Sequence, residues 1–350
     1  MKQTAAKTME QTAAPGMKHD RSRVIFLVGA TGTGKSRVAV SLAKRWGGAI
    51  CNADSIQLYR RLDVGSAKPS PAERALCPHF LFDLIEPPQV ATVGDYHRIF
   101  FAKMKEIEDQ YPVVIVVGGT GFYFQALEKG LWPIPPANEQ MQKEFYRRIE
   151  AGQAPQLHEE LQQLDPPSAA RIHVHDHYRL VRALDIIHST GKPLTQILSD
   201  HQKSGSHFAY PLLKIALKST PEELASSIRA RTDEMLKKGL LHEVQGLVSE
   251  GFAKWEPLQS VGYKQCLGFL ERRQPGAGDN SDGTDDSDGM ADVDGAEVNL
   301  GLAELQKEIV KETLKLAKKQ RTWFQRDKEI RWFHPAEISA MEDLVSTFLL

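Results

Sequence analysis

Cysteine is scarce in this 350-residue chain: only Cys51, Cys77 and Cys266 occur, and no two form a CxxC pair. A zinc site on paired cysteines and a disulfide framework are both disfavoured, and a reducing, cytoplasmic setting is expected. Long apolar runs are missing too. No stretch approaches the roughly 18 apolar residues that cross a bilayer, so no membrane association is expected. The leading MKQTAAKTMEQTAAPGMKHD lacks the apolar stretch of a secretory signal, and Glu10 and Asp20 are foreign to acid-poor transit peptides. Residues 1–22 are therefore expected to be a disordered leader, with Met17 as an alternative start. Basic residues vanish from one internal segment: 274–300 holds eight acids and no Lys or Arg. A net charge of −1 for the whole chain thus becomes +7 for the remainder, which suits a polyanionic partner without establishing one.

What the chain does have is a phosphate-binding signature. The apolar run Val24 to Val28 leads into Gly29-Ala30-Thr31-Gly32-Thr33-Gly34-Lys35-Ser36, which fits G-x-x-x-x-G-K-[ST]. A helical pattern follows, with Val38, Ala39, Leu42 and Ala43 on one face and Gly47-Gly48 as its stop. In such a loop the backbone N–H groups and the helix N-terminus attract phosphate, Lys35 binds its oxygens, and Ser36 binds Mg²⁺. A nucleotide hydrolase would add a second apolar strand ending in Asp. Here the best second strand, Val113 to Val117, ends in Gly118-Gly119. The acid at a strand end is Asp54, after the short run Ala49 to Cys51. That pattern favours small-molecule chemistry in a cleft over a motor or switch ATPase.

Strand patterns alternating with helical ones predict an α/β parallel sheet. A helix is predicted over Tyr96 to Gln110 and another from Phe122 to Leu127. After Pro133, helical periodicity dominates. We expect a P-loop core over 23–136, a mostly helical insertion over 137–200, a second core part over 201–272, and a last helical part over 301–350. Leu212 to Leu217 reads as a strand, and Pro221 to Glu250 as two helices broken at Gly239. The acidic insert, 273–300, has too few apolar residues to fold and is expected to be disordered. Its aspartates lack the calcium-loop spacing. A basic amphipathic helix is expected around Leu302 to Gln325.

The P-loop, Asp54-Ser55-Ile56-Gln57-Leu58-Tyr59, Asp63-Val64-Gly65-Ser66-Ala67-Lys68-Pro69 and Val117-Gly118-Gly119-Thr120-Gly121-Phe122-Tyr123 occur in the order seen in the tRNA dimethylallyltransferases, also called tRNA isopentenyltransferases. Asp176 to Leu184 (DHYRLVRAL), Ser260 to Gln265 (SVGYKQ) and Ala317 to Phe324 (AKKQRTWF) extend the match. The chain resembles this family over most of its length outside the acidic insert. The resemblance implies a P-loop NTPase-like sheet flanked by helices. It implies dimethylallyl diphosphate as donor, held with Mg²⁺ on residues Gly29 to Ser36. The acceptor it implies is the exocyclic amine of the adenine 3′ of the anticodon, in tRNAs reading codons that begin with U, with that base flipped out. The helical insertion would clamp the anticodon stem-loop, and the enzyme would act as a monomer.

That amine is a poor nucleophile, and a carboxylate taking its proton would help; Asp54 is the candidate base. Lys35 and the P-loop would stabilise the departing diphosphate, and the resemblance adds Arg231 as a further cation. It also places tRNA contacts at Asp54, Ser55, Ile56, Gln57, Thr120, Gln142, Tyr178, Arg179, Leu180, Val181, Arg182, Lys264 and Gln265. Lys318, Lys319 and Arg321 are further RNA candidates, whereas Trp323 and Phe324 read as core anchors. Plainer readings stand beside these: Asp54 as a helix cap, Arg231 as a surface cation, Thr120 as turn filler, and Arg179 and Arg182 as surface salt-bridge partners. Some positions depart from the family. Gln142 stands where relatives often carry Arg, so Lys143 or Arg147 would have to substitute. His173, His175 and His177 alternate like ligands on a strand, but relatives usually have Pro-Asn at 174–175, and a metal role is not expected. Thr313-Leu314-Lys315-Leu316 differs from the family's Thr-Arg-Gln. No Cys/His finger follows residue 330, so a bacterial-type enzyme is expected. The rivals are an adenine-nucleotide, cytokinin-forming isopentenyltransferase and a P-loop kinase of a small metabolite.

Overall fold

The computed structural model describes residues 22–203, 208–272 and 293–350. In chain order the elements are β1 (Arg23–Gly29), α1 (Lys35–Trp46), β2 (Ala49–Asn52), α2 (Pro71–Arg74), β3 (His79–Phe80), α3 (Val93–Ile107), β4 (Val113–Gly118), α4 (Gly121–Lys129), α5 (Glu139–Glu150), α6 (Ala154–Leu164) and α7 (Pro166–Ala169). There follow α8 (His177–Thr190), α9 (Leu194–Lys203), β5 (Leu212–Leu217), α10 (Pro221–Lys237), α11 (Leu240–Ser249), α12 (Tyr263–Glu271), α13 (Val293–Phe324), β6 (Arg331–Phe333) and α14 (Ile338–Leu349).

Among the described residues six strands form one sheet in the order β3-β2-β4-β1-β5-β6, every pair parallel. β1 is central: Val24 lies opposite Val114 of β4 on one side and Leu212 of β5 on the other. Val24 to Val28 are at most 2% exposed, which explains why these strands read as unbroken apolar runs. One face of the sheet packs on Val38, Ala39, Leu42 and Ala43 of α1 and on Met341 and Val345 of α14. α1 ends at Gly47 as expected. α10 begins with a reciprocal cap between Thr220 and Glu223, with Pro221 in its first turn. The P-loop NTPase-like α/β expectation holds, and the break at Gly239 between α10 and α11 falls where the sequence placed it.

Two compact units emerge. The sheet unit comprises 22–90, 100–119 and the described residues from 210 on; the helical unit comprises 91–99 and the described residues of 120–209. The helical unit is thus wider than the predicted 137–200. Within it, Tyr96 at the start of α3 stacks on Tyr123 of α4, ring centroids 3.8 Å apart and planes 6° from parallel, which joins those segments to it. Its core is Phe145, Leu157, Leu161, Ala169, Leu180, Val181, Ala183, Leu184 and Ile187.

Residues 1–21 of the predicted leader and 273–292 of the acidic insert lie outside the described residues; the leader's last residue, Ser22, is instead buried and donates to Glu108 O (2.7 Å). The end of that insert is corrected. α13 starts at Val293 rather than near 302, because extending an existing helix costs far less than nucleating one. Among the described residues no helix is long and apolar enough to cross a membrane.

Candidate active site at the carboxyl ends of the strands

The carboxyl ends of β1, β2 and β4 bring the polar groups of the sheet unit together, as open parallel sheets do at their ligand crevices. β1 runs into the P-loop. Gly34 stands at the cap of α1 and brings no side chain to occupy that helix's first N–H groups. Lys35 Nζ donates to the carbonyls of Gly29 (3.0 Å) and Ala30 (2.7 Å). Burial lowers its pKa to about 8; the Asp54 carboxylate works against that drop and the Arg231 guanidinium adds to it. Thr33 turns inward, its hydroxyl donating to Ala30 O at 2.8 Å. Ser36 is exposed in the first turn of α1.

Thr31 is held from two sides. Its N–H donates to Gln320 Oε1 of α13 (2.8 Å), and its hydroxyl accepts from Arg231 of α10 (3.1 Å). This corrects one expectation: the Thr31 amide is already engaged and is not one of the loop's open anion donors. Arg231 is no surface cation. Burial lowers its pKa, opposed by the nearby Asp54 charge.

Asp54 follows β2 and is fixed by Asn52, which is 1% exposed. Asn52 accepts the Asp54 N–H (2.9 Å) and donates to the carbonyls of Asp54 and Leu81, both at 3.0 Å. Asp54 Oδ1 accepts the Ile56 N–H at 3.0 Å, so the plain capping role is real for one oxygen. Ser55, Ile56 and Gln57 are half-buried. Gln57 Nε2 donates to Ser66 O (3.0 Å) and Ala67 O (3.3 Å). Arg231 also reaches Ser66 O, at 3.4 Å.

The loop carrying Ser66 is gripped from beneath. The Glu243 carboxylate accepts the N–H groups of Asp63 (2.9 Å), Val64 (2.8 Å) and Gly65 (3.2 Å), and the Tyr263 hydroxyl at 2.7 Å. Burial and the Glu243 charge push the Tyr263 hydroxyl well above its ordinary pKa. The Asp63 and Ser260 motifs are thus two halves of one clamp. Gln265 is corrected accordingly: its Oε1 caps its own helix on the Gly262 N–H, and it is 9% exposed, so it has little surface for RNA. Lys264, Lys318, Lys319 and Arg321 are exposed.

The end of β4 leaves no room for an acid. A Cβ on Gly118 would stand 2.0 Å from the Ala53 carbonyl oxygen. Among the described residues no three His, Cys, Asp or Glu side chains gather as a metal-ligand set. Mg²⁺ takes oxygen ligands, keeps several waters and is commonly held by one or two protein oxygens plus phosphates, so a hydroxyl donor such as Ser36 fits it only beside a bound diphosphate.

In the helical unit, Asp176 caps α8 by accepting the Arg179 N–H (3.3 Å) and pairs with the Arg179 guanidinium (2.8 Å). Tyr178 is 73% exposed. Arg179 and Arg182 do not share one outer face. Arg182 turns to Asp185, whose side chain is fully buried, and to Pro135 O at 2.7 Å. Gln142 donates to the same Asp185 at 2.8 Å. Leu180 and Val181 are at most 1% exposed, so their expected RNA contact is corrected: their side chains fill the unit's core. Thr120 is half-buried at the cap of α4 and makes no side-chain capping bond there. His173 to Asp176 form a turn rather than a strand, the His175 N–H meeting His173 Nδ1 at 3.2 Å.

Sequence reasoning missed Asn52, Glu243 and Gln320. Each is polar and satisfies backbone groups far away in the chain; Asn52 and Gln320 sit beside or inside a motif, whereas Glu243 lies in none.

Comparison with known proteins converges. The family model described as IPP transferase matches residues 57–327. The tRNA dimethylallyltransferase of Bdellovibrio bacteriovorus is 43% identical over 331 residues, covering 94% of this chain and 99% of that protein. The tRNA dimethylallyltransferase 1 of Citrifermentans bemidjiense is 36% identical, covering 95% and 99%. Among solved structures, the full-length tRNA isopentenylpyrophosphate transferase of Bacillus halodurans superposes with a TM-score of 0.63 at 27% identity, covering 94% of this chain and 97% of that one. A eukaryotic dimethylallyltransferase acting on tRNA shares the fold at a TM-score of 0.72 and 21% identity, covering 93% and 80%. This chain belongs to the IPP transferase family, alongside these tRNA dimethylallyltransferases.

Proposed function

We propose that the protein transfers a dimethylallyl group from dimethylallyl diphosphate to the exocyclic amine of the adenine 3′ of the anticodon in tRNA, releasing diphosphate. The observation that carries it is the meeting of Lys35, Arg231 and Asp54 at one set of strand ends, with Gly118 in place of a hydrolase's acid.

In this reading the amine nitrogen attacks the allylic carbon, the carbon–oxygen bond to diphosphate breaks, and the amine proton passes to Asp54. Asp54 Oδ2 takes that proton while Oδ1 stays on the Ile56 N–H. Lys35 and Arg231 face the charge that grows on the leaving oxygens. Both are held in place beforehand, so little reorganisation is needed when that charge appears. Mg²⁺ at Ser36 supplies further positive charge to the diphosphate when bound. Tyr178 and Arg179 offer an aromatic face and a cation to an RNA loop, and Lys264 and Thr120 are further contacts. Flipping the base costs a few kcal/mol, which RNA contacts offset. The setting is cytoplasmic and the working form a monomer.

The test is mass spectrometry of tRNA nucleosides after incubation with donor and Mg²⁺, beside a parallel assay with AMP. Prenylated adenosine in tRNA is the expected result. AMP as the better acceptor, or ATP consumed with no five-carbon unit transferred, would overturn the reading. Asp54→Ala should cut turnover by about 10²–10⁴-fold with tRNA affinity within a few-fold; a variant of normal turnover would remove Asp54 from the chemistry.

A further inference from the structure

We infer that Gln320 is a positioning residue for this reaction, fixing the tip of the P-loop to the Gly118–Gly119 turn at the end of β4. The inference rests on the transferase reading above, and its test includes a readout that does not.

Gln320 lies on the inward stripe of α13. Ala317 one turn before it packs with Ala30 and Ile228, and Phe324 one turn after it is 4% exposed. Lys318, Lys319 and Arg321 beside it are exposed. A polar side chain on an inward stripe is costly unless satisfied. Gln320 is satisfied at both ends by backbone groups of two different loops. Oε1 accepts the Thr31 N–H at 2.8 Å and Nε2 donates to Gly119 O at 3.1 Å. A Cβ on Gly119 would stand 2.3 Å from that Nε2, so a side chain there would push the amide off its two partners. The second glycine of the Gly-Gly pair is therefore the space into which this amide reaches.

The consequence is functional. Thr31 hands its hydroxyl to Arg231, the cation assigned to the leaving group. One side chain thus sets both the shape of the diphosphate loop and the position of the residue that braces Arg231. Without it, the Thr31 N–H and Gly119 O lose their partners, and the loop tip relaxes toward other donors and acceptors.

The experiment compares wild type with Gln320→Ala and Gln320→Glu in steady-state transfer to an anticodon stem-loop. Calorimetry of inorganic diphosphate binding with Mg²⁺ and thermal melts accompany it. Gln320→Ala should raise the donor KM about tenfold and lower kcat about tenfold, with the RNA KM within about twofold. Gln320→Glu keeps the Thr31 bond but loses the donor to Gly119 and adds a negative charge. It should bind diphosphate more weakly than Gln320→Ala at pH 8, and the deficit should shrink toward pH 5 as the carboxyl regains a proton. Gly119→Ala should be harmful in the wild-type background and add less than about threefold to Gln320→Ala, because the clash is gone. A Gln320→Ala protein that only melts earlier, with donor KM, kcat and diphosphate affinity unchanged, overturns the inference. So does Gly119→Ala losing as much in both backgrounds. Absence of prenyl transfer by wild type would instead sink the transferase reading, and diphosphate affinity would then decide the role of Gln320 by itself.

Discussion

The P-loop cleft, through Arg231 of α10, and the first turn of α8 both present an arginine, and they hold it in opposite ways. Arg231 is half-buried, its pKa lowered by desolvation, and Lys35 beside it, also half-buried, is drawn down to about 8. The Arg179 side chain is 68% exposed and leans on Asp176, three residues before it. Desolvated cations gain from an added anion, and two of them with only the Asp54 charge between them are poised for one. Exposed pairs of the Arg179 kind contribute little to stability and exchange partners readily, which suits many interchangeable phosphates. On the proposed reading, the chemistry belongs where cations are desolvated, and the RNA affinity where they are displayed.

The largest effects should come from the desolvated cations. Lys35→Ala and Arg231→Ala should each lower kcat/KM by about 10²–10³-fold, measured with labelled donor, because each removes a charge facing the leaving group. Arg179→Ala assayed beside them should keep kcat within about twofold. Comparable losses at all three positions would break the contrast.

The shifted lysine gives the contrast a pH signature. Only the charged form of Lys35 attracts diphosphate. A bound dianion raises the lysine's pKa, so donor affinity is full below the free-protein value of about 8 and falls as pH rises above it. The expected profile of kcat/KM for donor is a decline beginning near pH 8, approaching about tenfold per pH unit. Lys35→Arg, which stays charged, should flatten that limb even if it binds less well. The same shift has a second sign. Unfolding returns the lysine to its ordinary 10.5, so the free protein should gain stability as pH rises from about 8 toward 10.5. A decline that persists unchanged in Lys35→Arg would assign it to another group.

A smaller effect should follow from the half-buried Glu243 carboxylate. Glu243→Gln puts an amide against three backbone N–H groups and the Tyr263 hydroxyl, all of which are donors. A part-buried mismatch of that kind costs about 1–2 kcal/mol, which lowers the melting temperature by a few degrees. The Ser66 carbonyl, shared by Gln57 and Arg231, would shift with its loop, so donor KM should rise several-fold while RNA affinity holds. Unchanged melting and kinetics would show the clamp to be dispensable.

The two regions also differ in how much of them the sequence disclosed. Near the P-loop, spacing alone fixed strand, loop, helix and the acid after β2, because that chemistry is local. The strand Leu212–Leu217 and the break at Gly239 were legible for the same reason. Partners far apart in the chain were not. Gln320 meets Thr31 across 289 positions, and Glu243 meets Asp63 across 180, and no spacing rule encodes either pairing. On α8 the periodicity announced a helix but not which arginine turns inward. The available signal was Asp185, an acid on the apolar stripe three residues after Arg182, which had to draw a cation to itself. Leu180 and Val181 entered the candidate contacts with their motif, although their place on that stripe marked them as core.

The smallest expected effect tests the displayed side of the contrast most directly. Arg179→Ala should weaken tRNA binding a few-fold, roughly uniformly among tRNAs, and lower the slope of log affinity against log salt by about 0.7–0.9, the share of one phosphate contact. Tyr178→Ala should weaken binding by a comparable amount with no change in salt slope, since stacking releases no counterions. Fluorescence titrations of an anticodon stem-loop at several salt concentrations separate the two. Equal slopes for wild type and Arg179→Ala would mean that Asp176 keeps the guanidinium even when RNA is present, and the displayed arginine would be a helix cap's partner rather than an RNA contact.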